Sequence, residues 1–309
     1  MPELPEVETI RRQLEPLLVG RRLGLAWAFP HPKFTPALDV GPATVERVGR
    51  RGKYLLIGLD GDRELVVHLG MTGSLRVRPP GDAGDAYVRA WWALGGAGPM
   101  VGVGPAGGGA AGEVPAVGVG AAGGSAASEV PAVDAGPVAV GEALEYRDVR
   151  RFGRLAVAVG GRYAGTLAVQ GPDALDPSLD PERFWRSLRA SRRAVKTQLL
   201  SQRPIAGVGN IYADEALWRA GINPARRRIT RAQAAALLDE LRAVLSESLR
   251  YGGTTLTDYR DTAGREGRNQ QRLDVYGQAG LPCPRCGTEL RSRVLDARTA
   301  TWCPTCQPA

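Results

Sequence analysis

The cysteine pattern is the strongest constraint on how this chain can fold. All four cysteines lie in the last 27 of 309 residues. They form two Cys-x-x-Cys pairs separated by 16 residues, Cys283 with Cys286 and Cys303 with Cys306. This spacing is typical of a tetrahedral zinc site, and four thiolates leave no coordination position open. We therefore expect one structural Zn²⁺ beneath a β-hairpin whose strands are residues 290–295 and 299–302.

Residues 175–277 have the pattern of a helical domain. A stretch rich in proline and aspartate, residues 170–177, precedes them and indicates a domain boundary. Thr230 and Gln233 form a capping box at the start of a long helix. A glycine-rich turn at residues 207–209 could bind phosphate through its amides, although such turns are more often simple connections. Shorter helices are predicted at residues 181–190, 192–201 and 211–220.

The first 170 residues carry the apolar pattern of β-strands. Residues 53–59 and 64–69 flank an Asp-Gly-Asp turn and predict a hairpin. We therefore expect an α+β chain with an N-terminal antiparallel β-sandwich and flanking helices in residues 1–170. The helical domain and a zinc hairpin in residues 278–309 would follow. Further strands are predicted at residues 21–25, 44–48, 87–94 and 143–148.

Residues 95–141 differ from the rest of the chain. They are almost entirely Gly, Ala, Val and Pro, and residues 101–116 recur nearly unchanged as residues 117–132. Two such copies are too few for a solenoid, so the pattern indicates a low-complexity insert that is disordered or loosely structured. Because the flanking segments read as partner strands, we expect the insert to enlarge a hairpin tip.

The first residues carry a candidate reactive group. The chain begins Met1-Pro2-Glu3, and an initiator methionine is normally trimmed before a residue as small as proline. The secondary amine of Pro2 would then be free, and an α-amino group titrates near about 8, so part of it is nucleophilic at neutral pH. Its iminium with a sugar aldehyde carbon would act as an electron sink, and Glu3 could transfer protons. Taken alone, a Pro-Glu start is also a common solvated terminus.

A helix is predicted directly after this group. Pro5 suits its first turn, Glu6 is suited to its positive end and is a candidate to orient the site, and Gly20 can end it. Its apolar positions recur at helical spacing: Val7, Ile10, Leu14 and Leu17. The reactive group would therefore be mounted on a packed helix.

The charge favours a polyanionic partner. A net charge of +8 points to nucleic acid before membrane, although many basic proteins bind nothing specific. An apolar run of about 18 residues is lacking, so we expect a soluble intracellular protein without membrane contact.

Three motifs could contact nucleic acid. Lys53 follows Arg50-Arg51-Gly52 in a basic cluster that suits phosphate binding, although an ordinary exposed lysine fits as well. Met71 lies in a glycine-bounded turn, where it could wedge into a base stack, although most methionines belong to a core. Arg150 and Phe152 could push into a duplex or could be a strand end with a core phenylalanine.

These motifs together resemble the formamidopyrimidine-DNA glycosylases, bacterial base-excision repair enzymes with a helix-two-turn-helix domain. The resemblance is carried by Pro2-Glu3-Leu4-Pro5-Glu6, Lys53-Tyr54-Leu55-Leu56, Arg150-Arg151-Phe152-Gly153, residues 204–224 and the cysteine pairs. It implies a bifunctional DNA glycosylase and AP lyase that removes 8-oxoguanine and formamidopyrimidines from double-stranded DNA. Base removal through a Pro2 Schiff base would be followed by β- and δ-elimination.

The resemblance also implies roles for individual residues. Two positions depart from the family pattern, since Val149 stands where proline is usual and Asp85 replaces a phosphate-contacting histidine. The implied catalytic residues are Pro2, Glu3, Lys53 and Arg298. The implied DNA-binding residues are His68, Met71, Arg150, Phe152, Arg192, Lys196 and Asn210.

Two alternative functions stay open on the sequence. One is a glycosylase for oxidised pyrimidines of the endonuclease VIII type, against which Leu4 argues because that branch usually carries glycine there. The other is a zinc-dependent DNA-binding protein without chemistry. For the favoured function we expect a monomeric bacterial protein in the cytoplasm, associated with the nucleoid through DNA.

Overall fold

The computed structural model describes residues 1–82, 84–96 and 141–309, and within them it confirms the α+β class. Almost all of the insert predicted at residues 95–141 lies outside the described residues. Its flanking segments are paired as predicted, because Ala93 opposes Ala143 in an antiparallel ladder. Among the described residues, none of the helices is both long and apolar enough to span a membrane.

Eight antiparallel strands form the N-terminal part of the chain, in the order β5-β7-β6-β1-β2-β3-β4-β8. Six of them lie where the sequence predicts strands, whereas β5 and β8 were not predicted. The strands are β1 (Arg22–Ala28), β2 (Ala43–Arg51), β3 (Tyr54–Leu59), β4 (Arg63–His68), β5 (Gly73–Arg78), β6 (Val88–Gly95), β7 (Ala143–Asp148) and β8 (Arg154–Val159).

The sheet folds over itself to enclose one core. Leu55 and Val67 from the β2-β3-β4-β8 half belong to the same buried cluster as Trp92 and Tyr146 from the other half. Two facing sheets with a shared apolar interior are what a sandwich requires. The predicted antiparallel sandwich is therefore confirmed.

Helix α1 (Leu4–Leu18) covers one end of this core. Val7, Ile10 and Leu14 are buried on one face, as the helical spacing predicts. The prediction of Leu17 as the next buried position was wrong, since Leu18 is buried and Leu17 is exposed. Both residues lie within one turn of Leu14, so spacing alone does not choose between them.

Four helices after residue 180 form a second core: α3 (Pro181–Arg189), α4 (Val195–Leu200), α5 (Asn210–Arg219) and α6 (Arg231–Arg250). The short helix α2 (Gly165–Val169) instead packs through Leu167 against Leu56 and Val66 of the sandwich. Helix α6 begins with the predicted capping box between Thr230 and Gln233. Leu4, at the start of α1, is buried in this second core, so the N-terminus of the chain packs against the helical part.

The C-terminal hairpin consists of β9 (Arg291–Leu295) and β10 (Arg298–Trp302). A buried ion pair fastens it to the helices. Lys196 of α4 lies 2.6 Å from Asp214 of α5 and donates a 2.6 Å hydrogen bond to the carbonyl of Thr299, while Asp214 accepts the Thr301 amide at 3.0 Å. Lys196, predicted to contact DNA, is therefore completely buried and joins three elements.

We expect Lys196→Met to lower the free energy of unfolding by about 3–5 kcal/mol, because it leaves the Asp214 carboxylate buried without its cation. Urea unfolding followed by circular dichroism measures this difference. Arg186→Met is the matched control, since its partner Glu182 lies on an exposed helix surface and such pairs contribute less than about 0.5 kcal/mol. Equal losses in the two variants would contradict the structural role of Lys196.

Candidate active site

Glu3 is held by the first turn of helix α5. Its carboxylate accepts the amides of Gly209 at 2.7 Å and Ile211 at 3.0 Å, and the side chain is buried. A Cβ at Gly209 would lie 2.2 Å from Glu3 Cδ, so only glycine allows this approach. The turn proposed as a phosphate site therefore uses these two amides to bind a carboxylate of the chain itself.

Glu6 is the centre of a buried polar network behind Glu3. It accepts the Glu3 amide at 2.7 Å, the Tyr212 hydroxyl at 2.6 Å and the Thr254 amide at 2.7 Å. Burial and the charge of Glu3 raise the pKa of Glu6, although these hydrogen bonds partly oppose the shift. The network thus fixes the backbone of Glu3 and joins it to the helical part of the chain.

Lys53 is buried directly before strand β3. Burial lowers the pKa of its ammonium group, Glu3 and Glu6 raise it in part, and Arg298 lowers it further. These interactions place Lys53, Glu3, Glu6 and Arg298 in one electrostatic cluster, although they come from distant parts of the sequence. A lysine with a lowered pKa exchanges protons more readily near neutral pH.

A cavity of about 320 Å³ opens beside this cluster. Met1 lines this cavity and is half exposed. The next residue, Pro2, is buried while Met1 is present. The residues that line the cavity are Met1, Lys33, Lys53, Tyr54, His68, Phe152, Arg154, Thr166, Leu200 and Gln202.

Several of these residues were not predicted from the sequence. Arg154 directly follows the Arg150-Arg151-Phe152-Gly153 motif, so extending that motif by one residue would have found it. Lys33 lies in an irregular connection between β1 and β2 and carries no motif or periodic signal. Gln202 supports the glycine turn, because it accepts the Gly207 amide at 2.8 Å and donates to the Val208 carbonyl at 2.6 Å.

His68 faces the cavity as a neutral imidazole. Burial, with the positive charges of Lys53 and Arg154, lowers the pKa of His68 to about 4. Its Nδ1 accepts the Gly70 amide at 3.2 Å. A neutral imidazole that accepts at Nδ1 carries its proton on Nε2, so His68 can donate one hydrogen bond to an anionic oxygen.

Met71 and Phe152 lie at the surface rather than in the core. Their exposed fractions are 36% and 49%, which excludes the alternative that they are ordinary core residues. The Arg150 guanidinium carbon lies 4.8 Å from the centre of the Phe152 ring, a cation–π distance. The loops that carry these residues therefore present apolar and cationic groups outward.

Three other residues with implied DNA contacts lie elsewhere. Arg192 lines a separate basic groove of about 530 Å³ with Arg193 and Arg293, and Lys196 is buried as described. Asn210 begins α5 and donates to the Tyr276 hydroxyl at 3.4 Å, while its Oδ1 is buried and accepts no hydrogen bond within the described ranges. Asn210 lies between Gly209 and Ile211, the two residues whose amides bind Glu3.

Asp85 is neutralised by Arg147. Its carboxylate lies 2.6 Å from the guanidinium, which also lies 5.0 Å from the centre of the Tyr87 ring. Asp85 therefore has a cationic partner at the position where the family pattern has a histidine.

The four cysteines fit a zinc ion. Their sulfur atoms all lie within 4.8 Å of one another, and four thiolates are a donor set typical of structural zinc. Cys283, Cys286, Cys303 and Cys306 would hold one Zn²⁺ at the base of the β9–β10 hairpin. The ion would fix the fold of that hairpin, and with it the position of Arg298 at the start of β10.

Three family models match the chain. Residues 1–105 match the formamidopyrimidine-DNA glycosylase N-terminal domain, residues 170–260 match the formamidopyrimidine-DNA glycosylase H2TH domain, and residues 280–309 match the zinc finger found in FPG and IleRS. The matched regions fall on the sandwich, the helices and the C-terminal hairpin.

Whole proteins are similar over the full chain. The formamidopyrimidine-DNA glycosylase of Thermomicrobium roseum is 42% identical, with 100% of this chain and 99% of the relative covered. A crystal structure of MutM (Fpg) from Thermus thermophilus is 38% identical, with a TM-score of 0.76 and 99% and 98% of the two chains covered. Lactococcus lactis Fpg in complex with abasic site containing DNA is 26% identical, with a TM-score of 0.75 and 99% and 100% covered.

The neutral state of His68 predicts a pH dependence of stability. Because the folded pKa is about 4 and the ordinary value is 6.5, the unfolded chain binds more protons between these values. The contribution is complete above about pH 6.5 and is lost as the pH falls toward 4. We expect that, in His68→Gln, the free energy of unfolding falls less on acidification than in the original chain, by at most about 3 kcal/mol.

Urea unfolding of both proteins at pH 8, 6 and 4.5 measures the difference. The comparison at pH 8 gives the cost of the substitution itself, so only the change with pH reports titration. Parallel stability curves over this range would contradict a neutral buried His68.

Proposed function

Because the chain belongs to the formamidopyrimidine-DNA glycosylase family, we propose that it removes oxidised purines from duplex DNA and cuts the strand at the resulting abasic site. The observation that carries this proposal is the cluster of Glu3, Glu6 and Lys53 beside the N-terminus and a cavity. The Lactococcus lactis relatives were solved with Fapy-dG containing DNA and with abasic site containing DNA, which supports the same substrate class here.

The reaction begins with loss of Met1. Met1 lines the cavity together with Lys53 and Phe152, and its removal would free the nitrogen of the adjacent residue, Pro2. The Pro2 nitrogen attacks C1′ of the damaged nucleotide, the bond from C1′ to the base breaks, and the base leaves with the electron pair and a proton. Glu3 transfers protons in this step from a position fixed by the Gly209 and Ile211 amides.

Strand cutting follows from the charge on the Pro2 nitrogen. After the sugar ring opens, the iminium draws electrons from the adjacent carbon, so a proton leaves C2′ and the bond from C3′ to its phosphate oxygen breaks. A second elimination releases the phosphate on C5′. In this proposal Lys53 assists proton transfer and Arg298 stabilises phosphate charge, which the lowered pKa of Lys53 and its interaction with Arg298 support.

The exposed loops supply the DNA interface. The target nucleotide must leave the base stack before C1′ can be attacked. Met71, Arg150 and Phe152 fill the space it leaves, and His68 donates to a phosphate from Nε2. We place the protein, as a monomer, on chromosomal DNA in the bacterial cytoplasm.

We expect borohydride to trap a covalent adduct between the protein and DNA that contains 8-oxoguanine opposite cytosine. Intact mass should show a chain without Met1. Pro2→Glu should give no adduct, because methionine is not trimmed before a large residue and no secondary amine is then present. Gel shift under denaturing conditions and mass spectrometry of the adduct provide the measurement.

Pro5→Ala is the control for this experiment, because it removes a nearby proline from the first turn of α1 and leaves the terminal amine intact. It should form the adduct. An adduct of Pro2→Glu at the original level would assign the nucleophile to another amine, such as Lys53. No adduct with any chain would favour a DNA-binding protein without chemistry.

We also expect selectivity for oxidised purines. Single-turnover excision of 8-oxoguanine should exceed excision of thymine glycol by at least about ten-fold in matched duplexes, since enzymes discriminate through contacts made at the reacting base. Faster excision of thymine glycol would instead support a glycosylase of the endonuclease VIII type.

A further inference from the structure

Two surface loops of the sandwich touch each other through glycine. Residues 69–72 connect β4 to β5 and carry Met71, and residues 149–153 connect β7 to β8 and carry Phe152. A Cβ at Gly70 would lie 2.4 Å from the Gly153 nitrogen, so the two backbones are in direct contact. A displacement of one loop would therefore also displace the other.

One buried carboxylate binds both loops. Asp148, at the end of β7, is completely buried. It accepts the Thr72 hydroxyl at 2.5 Å from the first loop and the Gly153 amide at 2.7 Å from the second. The hydroxyl of Tyr146 lies 3.4 Å from the same carboxylate. A buried carboxylate with several donors is costly to rearrange.

Thr72 completes the connection. Its hydroxyl donates to Asp148 and accepts the Arg150 amide at 3.0 Å. Arg150 in turn lies against the Phe152 ring. A continuous path of hydrogen bonds and contacts thus runs from the residue next to Met71, through Asp148, to the loop that carries Arg150 and Phe152.

We propose that Asp148 and Thr72 are positioning residues that make the two loops a single rigid wedge. Met71 would then enter the duplex together with Arg150 and Phe152, so that the space left by the extruded nucleotide is filled in one step. The inference rests on the proposed function and adds to it the coupling between the loops. This coupling matters for duplex DNA and not for a single strand, which has no opposing base to support.

The test separates wedge formation from chemistry. We measure excision of 8-oxoguanine from a duplex and strand cutting at a preformed abasic site in a single strand, for the original chain and for Thr72→Val. The substitution removes the hydroxyl but keeps the shape. We expect duplex excision to fall by about ten-fold, as for loss of one positioning contact, while single-strand cutting stays within about two-fold.

Thr72→Ser keeps the hydroxyl and should restore the original ratio of the two activities. Thr72→Ala repeats the test in case Val does not fit, and Ser74→Ala is the matched control for removing a hydroxyl from the adjoining strand β5. Thermal unfolding of every variant identifies any that do not fold.

An unchanged ratio for Thr72→Val and Thr72→Ala would overturn the coupling, and so would an equal fall in both activities. If the original chain itself cuts neither substrate, the proposed function fails. If the original chain cuts both and the ratio is insensitive to Thr72, only the inference about the wedge fails.

Discussion

The hydrogen bonds from helix α5 to the Glu3 carboxylate are the interaction on which the site depends. Chain termini are usually mobile, because few contacts oppose their conformational entropy. Here two amides of a helix N-terminus bind a carboxylate located 206 and 208 residues earlier in the sequence. The helix dipole strengthens these bonds. As a result, Lys53 of the sandwich and the first turn of α5 jointly form the surroundings of Glu3.

The same interaction explains what sequence reasoning could reach. Local signals were sufficient for the capping box of α6, the first three buried positions of α1 and the cysteine pairs, since each depends on residues close in sequence. The role of the glycine turn was missed, because its partner is Glu3 and not an external phosphate. Strands β5 and β8 were also missed, since their places beside β7 and β4 are decided by long-range pairing rather than by their own composition.

Charge in the sequence does not reveal burial. Lys196 and Arg192 lie close together in a basic segment, yet Lys196 is enclosed with Asp214 while Arg192 remains at the surface. A buried lysine beside a carboxylate joins secondary-structure elements. Its net contribution to stability depends on the geometry of the pair, which a sequence motif does not specify. In this chain the Lys196–Asp214 pair links the C-terminal hairpin to α5. The hairpin that carries Arg298 and the carboxylate of Glu3 are therefore both bound to the same helix.

The ladder between β6 and β7 is closed before the Gly- and Ala-rich segment begins. Ala93 opposes Ala143, and the Leu94 amide donates to the Glu142 carbonyl at 2.9 Å. Because these pairs set the register, the number of residues that join the two strands has little effect on how the strands pair. That junction is therefore a natural splice point, where a fluorescent reporter, an affinity handle or a new pair of chain termini could be introduced with the catalytic framework left unaltered.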